Sequence, residues 1–206
     1  MTRDAGTVLV LASGSAGRLR LLHSAGIDPE VVVSGVDETA EPGLDTAALV
    51  TVLAERKAAA VAARRSGALV LGCDSMLDLD RVAYGKPASA RHAADMWRRL
   101  SGRQGTLYTG HCLIDAGRGR RVRDVAGTVV RFGTPSDAEV TAYVASGEPM
   151  TVAGGFSIDG RGAAFVEGVD GDPGNVIGLS LPLLRRMLAD LGVALSLIHI
   201  SEPTRP

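Results

Sequence analysis

The sequence predicts an α/β protein with a mixed central sheet flanked by helices. Apolar, β-branched runs alternate with stretches of helical periodicity along the 206 residues, which is the pattern of that class. Apolar residues make up 46% of the chain and charged residues 22%, so the chain can bury a sizeable core and is not broadly disordered. At about 150 residues per domain, we expect a single domain over residues 1–194.

The first third of the chain is expected to form two strands and two helices. Residues 7–12 are apolar and β-branched, which predicts a buried strand, and a Gly/Ser loop then leads into a short helix that ends at Gly26. Residues 31–33 predict a second strand. Residues 36–44 are acidic and contain Pro and Gly, so we expect a loop, whereas apolar side chains recur at helical spacing over residues 45–65.

A second series of strands begins at residues 68–73, which predict a buried strand with Asp74 directly at its end. Residues 76–84 indicate a hairpin with a polar turn. The remaining expected elements are a helix over 89–100, long strands over 106–115 and 121–132, a helix capped by Ser136 and running to Ala145, short strands at 156–158 and 163–166, a loop over 171–178 and a helix over 179–191.

The last stretch, residues 195–206 (LSLIHISEPTRP), differs in composition from the chain before it. It is poor in alanine and places Ile198 and Ile200 close together after a chain with few isoleucines. It resembles read-through from a cloning or sequencing adapter, so we interpret it as a non-native tail and exclude it from the functional argument.

Composition narrows the possible partners. A formal charge of −1 and only seven aromatic residues argue against a nucleic-acid-binding surface, which needs uncompensated cations and stacking platforms. No signal peptide and no apolar run of about 20 residues is present, so we expect a soluble cytoplasmic protein without a membrane partner. The two cysteines, Cys73 and Cys112, lack metal-ligand spacing and are expected to be free thiols.

The scarcity of lysine draws attention to two positions. Of 22 basic residues, only Lys57 and Lys86 are lysines. Codon bias in a GC-rich genome replaces lysine by arginine at little cost on the surface, so a retained lysine suggests a need for a compact point charge, for instance on a phosphate. Chance survival of the two lysines is the alternative interpretation.

Polar residues follow two of the predicted strands. Ser13, Ser15 and Arg18 lie where a strand leads into a helix, and hydroxyls, backbone N–H groups and a helix dipole favour an anion there. Simple helix capping by the serines and a structural role for Asp74 are the alternatives. Neither the G-x-G-x-x-G fingerprint nor a P-loop surrounds these residues, which excludes an ordinary dinucleotide site or Walker A site.

Taken together, these residues suit a metal-bound polyphosphate. A nucleoside triphosphate carries about four negative charges, which cations and Mg²⁺ must offset before a nucleophile can approach. A carboxylate such as Asp74 can orient and deprotonate a water molecule. Mg²⁺ prefers carboxylate, phosphate and water oxygens, and Glu38 offers a second carboxylate, although a solvated loop charge is its simpler interpretation.

Nine ordered segments of the chain resemble the Maf family of nucleoside triphosphate pyrophosphatases, also called septum-formation inhibitor proteins. The resemblance covers about residues 7–192, and both lysines fall on family lysines. The matching segments are LASGSAGRLRLL at 11–22, VDE at 36–38, LAERKA at 53–58, LGCDSM at 71–76, YGKP at 84–87, LSGRQGTLYTG at 100–110, YVASGEP at 143–149, AGGFSIDGRGAAFVEGVDGD at 153–172 and NVIGLSLPLL at 175–184.

This resemblance implies a fold, an activity and a set of site residues. The implied fold is an elongated α/β protein with a mixed sheet and a cleft between two lobes, similar to the inosine triphosphate pyrophosphatases. The implied activity is hydrolysis of non-standard or pyrimidine nucleoside triphosphates to a monophosphate and diphosphate, with a homodimeric enzyme and a link to arrest of cell division. The implied roles are general base for Asp74, triphosphate ligands for Arg18, Lys57 and Lys86, a phosphate loop with Ser13 and Ser15, and a divalent cation (Mg²⁺ or Mn²⁺) held by Glu38 and Asp74.

Three positions depart from the family pattern where the resemblance implies that the base is selected. The loop S-x-S-P-R-R becomes Ser13 to Arg18 with Gly17 in place of the first arginine, Asp-Thr becomes Asp74-Ser75, and Ile-Gln-Gly places Asp159 at its centre. The preferred base is therefore left open. An acceptor-only carboxylate at position 159 predicts a hydrogen bond from a base amino or imino group.

Two other functions remain possible from the sequence. A nucleotide-binding regulator of septum formation that no longer hydrolyses its ligand is the first, because the loop at Ala16 and Gly17 is altered. A nucleic-acid-binding module is the second, and charge and aromatic content disfavour it. Release of pyrophosphate separates the enzyme from the regulator.

Overall fold

The apolar runs of the sequence form one mixed sheet in a computed structural model that describes residues 8–39, 43–195 and 198. The described residues contain seven strands: β1 Leu9–Leu11, β2 Glu30–Val31, β3 Leu69–Leu79, β4 Val82–Tyr84, β5 Gln104–Asp115, β6 Arg120–Phe132 and β7 Val166–Asp170. Their spatial order is β2-β1-β3-β5-β6-β7, and β4 also pairs with β3. The predicted α/β class with a mixed sheet is confirmed.

Helices cover the sheet, and side-chain caps mark where most of them begin. The described helices are α1 Ala16–Ser24, α2 Thr46–Ala62, α3 Ala90–Leu100, α4 Asp137–Ala145, α5 Pro173–Ile177 and α6 Leu181–Asp190. Ser15, Asp45 and Ser89 each accept a hydrogen bond from a backbone N–H of the first helical turn, which satisfies one of the donors left open at a helix start. No described helix is long and apolar enough to cross a membrane.

Strand β3 has an open edge in its middle, and this gap positions the site. Its other edge pairs antiparallel with β5 over nearly its whole length. On the open side, parallel β1 pairs with β3 only as far as Leu71, and antiparallel β4 pairs with β3 only from Leu77 onward. Among the described residues, no strand therefore covers residues 72–76 on that side, and Asp74 lies at the centre of the gap.

Helix α2 lies unusually close to the sheet because two strand glycines have no side chain. A Cβ atom on Gly72 would lie 2.3 Å from the carbonyl oxygen of Ala54, and one on Gly110 would lie 2.3 Å from that of Val50. Gly110 pairs directly with Asp74, and Gly72 points to the same face as Asp74 because strand side chains alternate. The two glycines thus allow the backbone of α2 to approach the strand beside Asp74.

The apolar side chains form separate cores at the two ends of the sheet. At one end, α1 and α6 cover one face with Leu22 and Leu183, while α2 covers the other face with Ala54 and Ala58. At the other end, Trp97 of α3 packs edge-on against Phe132, Tyr143 and Phe165, and its indole N–H donates to the carbonyl oxygen of Gly155 at 2.9 Å. The gap in β3 lies between these cores.

Several local predictions are wrong. Asp74 does not end a strand: β3 continues to Leu79 because antiparallel β5 replaces the lost parallel neighbour. The short strands expected at 156–158 and 163–166 are absent. Residues 156–158 have no regular structure, and Arg161–Phe165 is a 3₁₀ turn that leads into β7, since its glycines and the aromatic core favour a compact path.

Other elements differ only in extent. The strand predicted at 31–33 is Glu30–Val31, and the loop predicted at 171–178 contains the short helix Pro173–Ile177, which Asp172 caps. The hairpin expected at 76–84 is present: its turn residues Asp80 and Arg81 both have positive φ, as a two-residue type I′ turn requires.

Part of the predicted tail lies outside the described residues. Of residues 195–206, Leu195 and Ile198 are described, and both pack against the core beneath α6. Residues 196–197 and 199–206 lie outside the described part of the chain, as do residues 1–7. The interpretation of this segment as a non-native tail stays a prediction.

Candidate active site

A cavity of about 540 Å³ opens at the gap in β3 and draws residues from both ends of the sheet. Its wall includes the loop before α1, the Lys57 side chain of α2, the Gly85-Lys86 turn after β4 and the segment from Phe156 to Asp159. All but one of the site residues predicted from the sequence line it: Ser13, Ser15, Arg18, Glu38, Lys57, Asp74, Ser75, Lys86 and Asp159.

Gly17 is the predicted site residue that the structure does not bring to this wall. A Cβ atom at position 17 would lie 3.0 Å from Ile177 Cγ2 and 3.1 Å from the carbonyl oxygen of the same residue. The end of α5 therefore closes over this point of α1. A larger side chain there would have to displace Ile177 before it reached the cavity.

A buried ion pair lies at the base of the cavity. Lys57 Nζ lies 2.5 Å from Asp74 Oδ1 and 2.7 Å from Glu38 Oε1. The side chains of Lys57 and Asp74 are 9% and 8% exposed, whereas that of Glu38 is 61% exposed. The ammonium group thus joins a buried carboxylate of the sheet to an exposed carboxylate of the loop before α2.

Asp74 has the electrostatic features of a proton acceptor. Burial raises the pKa of its carboxyl group above the usual value, and the adjacent Lys57 ammonium opposes that shift. Its second oxygen, Oδ2, is buried and has no hydrogen-bond partner among the described residues. Burying a hydrogen-bond acceptor without a partner costs free energy, so an unpaired oxygen at a cavity wall indicates a functional role.

Arg18 is fixed on the opposite face of β3 by three hydrogen bonds. Its Nε donates to the carbonyl oxygen of Gly178 at 2.8 Å, while its two terminal nitrogens donate to Ser13 Oγ and Ser75 Oγ at 2.9 Å each. The guanidinium is therefore held rigidly at the cavity wall, and its remaining N–H groups are available to an anion.

The two predicted loop serines already have structural partners. Ser15 Oγ accepts from the backbone N–H of Arg18 at 3.4 Å as the N-cap of α1. Ser13 Oγ accepts from the backbone N–H of Ser15 at 3.2 Å, in addition to the Arg18 side chain. Helix capping and a position on the cavity wall therefore coexist in the same residues.

A polar network connects Ser75 to the strands behind the cavity. Ser75 Oγ lies 2.9 Å from Thr109 Oγ1, which donates to the carbonyl oxygen of Asn175 at 3.0 Å. His111 Nε2 accepts the backbone N–H of Ser180 at 3.0 Å, so its Nδ1 carries the proton donated to the carbonyl oxygen of Thr109. Burial, assisted by the charge of Arg18, lowers the pKa of His111 to about 4.

The rim of the cavity carries more exposed charges. Lys86 is exposed on the turn after β4, whose Gly85 carbonyl accepts from the backbone N–H of Gly154. Asp159 Oδ1 accepts from Ser157 Oγ at 2.9 Å, and its Oδ2 lies 2.5 Å from Arg20 Nη2. These groups are therefore in a more solvated environment than the buried pair.

Glu38 and Asp74 fit a divalent cation of the magnesium type. No group of three or more His, Cys, Asp or Glu suited to a metal occurs among the described residues. Two carboxylates with phosphate and water oxygens are nevertheless a common environment for Mg²⁺, which keeps several waters. Lys57 Nζ contacts both Asp74 Oδ1 and Glu38 Oε1, so the structure brings the two carboxylates close enough together to share one ion.

Sequence reasoning did not identify several residues that build this site. Gly72 and Gly110 bring α2 to the strand, and glycine inside an apolar strand is a signal of close backbone approach. Glu148 fixes the rim segment, because its carboxylate accepts from the backbone N–H groups of Arg161 and Gly162. The contacts of Glu148 with Arg161 and Gly162 join residues 13 and 14 positions apart, and no pattern in a single sequence predicts them.

The fold and the site define an α/β protein whose cleft, among the described residues, is lined by three cations, Arg18, Lys57 and Lys86, and by three carboxylates, Glu38, Asp74 and Asp159. Residues 8–191 match the sequence profile described as Maf-like protein, and the chain belongs to this family. The nucleoside triphosphate pyrophosphatase of Streptomyces coelicolor is 60% identical over 91% of this chain and 92% of its own length. The proteins of the same name from Streptomyces avermitilis and Gloeothece citriformis are 57% and 49% identical, over 91% and 89% of this chain and 92% and 93% of their own lengths.

Proposed function

We propose that this protein is a nucleoside triphosphate pyrophosphatase. It hydrolyses the bond between the α and β phosphates and releases a nucleoside monophosphate and inorganic diphosphate (pyrophosphate). The observation that carries the proposal is the buried Lys57–Asp74 pair, whose carboxylate keeps one buried oxygen without a partner among the described residues, at the wall of a cavity that Arg18 and Lys86 also line. The name of the curated relatives supports the same activity.

Asp74 is the proposed general base. Lys57 fixes one carboxylate oxygen at 2.5 Å, so the other is held in one direction and can accept a proton from a water molecule in the cavity. The raised pKa makes this carboxylate a stronger base than an exposed aspartate would be. Water then attacks the α phosphorus, and its proton passes to Asp74 Oδ2.

Arginine and lysine side chains together offset the negative charge of the triphosphate. Arg18 presents a rigid planar group beside Ser13 and Ser15, and the backbone N–H groups at the start of α1 add a partial positive charge. Lys57 and Lys86 also line the cavity and supply compact charges. Their stabilisation of the charge that develops on the leaving diphosphate lowers the barrier.

A divalent cation, Mg²⁺ or Mn²⁺, is part of the proposal, with Glu38 and Asp74 as its protein ligands. When bound, such an ion neutralises phosphate charge and polarises the phosphoryl group. Lys57 contacts both carboxylates, so it holds the two ligands near each other before any ion arrives. We further propose that the protein acts on free nucleotides as a cytoplasmic homodimer, with a role in removing non-standard nucleotides and in arrest of cell division.

The direct test uses the purified chain, Mg²⁺ and a panel of ordinary and modified nucleoside triphosphates in water enriched in ¹⁸O. Attack at the α phosphorus predicts monophosphate and diphosphate in equal amounts, with the label in the monophosphate. Release of inorganic phosphate and a nucleoside diphosphate would contradict the proposed bond. Tight nucleotide binding without any hydrolysis would instead support the non-hydrolysing regulator.

A further inference from the structure

Arg20 and Asp159 form an ion pair at the mouth of the cavity. Arg20 is an exposed residue of α1, and Asp159 lies in the segment after Phe156, 139 positions away along the chain. Arg20 Nη2 lies 2.5 Å from Asp159 Oδ2. Asp159 lines the cavity and Arg20 is not among the lining residues, so Arg20 acts on a ligand through the carboxylate.

Each oxygen of Asp159 has one identified partner, which fixes the plane of the carboxylate. Oδ2 faces Arg20, and Oδ1 accepts from Ser157 Oγ, which in turn accepts from the backbone N–H of Asp159 at 3.2 Å. A carboxylate oxygen can accept more than one hydrogen bond, so acceptor capacity remains for a ligand. The group is thus oriented and still able to accept hydrogen bonds.

The segment that carries Asp159 is itself anchored. Glu148 Oε2 accepts from the backbone N–H of Arg161 at 2.8 Å, and Glu148 Oε1 accepts from the backbone N–H of Gly162 at 2.9 Å and from the Tyr143 hydroxyl at 3.0 Å. A Cβ atom at Gly160 would lie 2.7 Å from Glu148 Oε2, so glycine permits this close contact. The backbone around Asp159 is therefore held independently of Arg20.

Position 20 of α1 is placed so that its side chain can reach Asp159 at the mouth of the cavity. Ile177 packs over position 17, so a side chain there is blocked without displacement of α5. Arg20 follows Gly17 by three residues and therefore lies on a neighbouring part of the same helix face. The long arginine side chain extends from this position to Asp159.

We propose that Arg20 is a specificity-determining positioning residue, which orients Asp159 to select nucleobases that present an exocyclic amino group. A carboxylate is an acceptor only, so it favours an amino group and leaves a base carbonyl oxygen facing another acceptor. The positive charge of Arg20 also reduces the electrostatic repulsion between Asp159 and the negatively charged triphosphate. This inference rests on the proposed function, because it takes the cavity to hold a nucleoside triphosphate with its phosphates at the buried cations Arg18 and Lys57, which leaves the base toward the mouth beside Asp159.

The ion pair is too exposed to be an important support of the fold. The side chains of Arg20 and Asp159 are 62% and 30% exposed, and pairs of this kind contribute little to stability. Removal of Arg20 is therefore expected to alter recognition and to leave folding unchanged. Arg98 provides a matched control, since it forms a comparably exposed ion pair with Asp95 on α3 and does not line the cavity.

The experiment measures kcat and KM with two pairs of substrates that differ at one exocyclic position, GTP against ITP and CTP against UTP. We expect the wild type to prefer the amino-bearing member of the better-accepted pair by about tenfold in kcat/KM. Arg20→Gln should reduce this preference to within about threefold, mostly through KM, and Arg20→Lys should restore part of it. Arg98→Gln should keep the wild-type ratio.

A double-mutant cycle tests whether Arg20 acts through Asp159. Asp159→Asn should also abolish the preference, and adding Arg20→Gln should cause no further loss, because both changes remove one interaction. An unchanged ratio in Arg20→Gln, or equal loss for every substrate, would overturn the inference. If the wild type hydrolyses none of the four, the proposed function fails, and the same ratios measured as Kd for α,β-imido analogues still decide the role of Arg20.

Discussion

The cavity contains two cation–carboxylate contacts of the same length in opposite environments. Lys57–Asp74 at its base and Arg20–Asp159 at its mouth both measure 2.5 Å. The first pair is almost fully buried, while most of the Arg20 side chain is in solvent. Exposed pairs are weak and adaptable, whereas loss of one partner from a buried pair leaves an uncompensated charge and is strongly destabilising. We therefore place the proposed proton transfer at the buried end of the cavity and the proposed selection of the ligand at its mouth.

The physical origin of the difference is the distance of each segment from the sheet. Gly72 and Gly110 let α2 pack against β3 and β5, so Lys57 is enclosed next to Asp74. Arg20 lies on the outer part of α1 and reaches a segment that follows a 3₁₀ turn. Buried charges are therefore placed by backbone packing, and the charges at the mouth are placed by long side chains.

The largest expected effect concerns Asp74, the proposed general base. Asp74→Asn preserves the shape of the side chain and removes its basicity, so we expect a fall in kcat of about 10²-fold or more. Nucleotide binding should persist, because the cations that offset the triphosphate remain. Steady-state kinetics and calorimetric binding to an α,β-imido nucleotide measure both quantities. Near-normal turnover would show that the buried pair only supports the fold.

The next effect concerns stability at acidic pH, through the buried His111 behind the cavity. Its pKa is about 4 in the folded protein and about 6.5 when unfolded. Between these two pH values the unfolded state binds more protons than the folded state. The contribution of neutral His111 to the free energy of unfolding is therefore complete above pH 6.5 and is lost as the pH falls toward 4. The expected loss in free energy of unfolding is about 3 kcal/mol.

Urea unfolding from pH 7 to 4 measures this dependence. His111→Gln should show a smaller acid-induced loss than the wild type, whereas His23→Gln, a change at an exposed histidine of α1, should keep the wild-type dependence. Equal pH dependence in the wild type and His111→Gln would contradict the assignment.

The smallest of these effects concerns the rim. Lys86→Arg keeps the charge but replaces a compact ammonium by a planar fork, so we expect a rise in KM of about tenfold with a smaller change in kcat. The exposed position allows the longer side chain to adjust, which limits the loss. If Lys86→Arg matches the wild type in both constants, the lysine was retained by chance and this position does not require a compact charge.

The α/β class, the order of most elements and the residue types of the cavity follow from local features of the amino-acid sequence. Alternating apolar runs, capping residues and the type I′ hairpin are local signals, so they could be recognised without coordinates. The scarcity of lysine in an arginine-rich chain and the position of a carboxylate after an apolar run likewise indicate Lys57, Lys86 and Asp74 as candidate site residues.

The way in which these groups meet depends on long-range packing. The extension of β3 past Asp74 depends on pairing with β5, and the exclusion of Gly17 from the cavity depends on Ile177, a residue 160 positions away. The contacts of Arg20 with Asp159 and of Glu148 with the segment after it join parts of the chain that no local pattern relates. The physical reason is that such contacts depend on distances between packed elements, which hydrophobic periodicity does not specify.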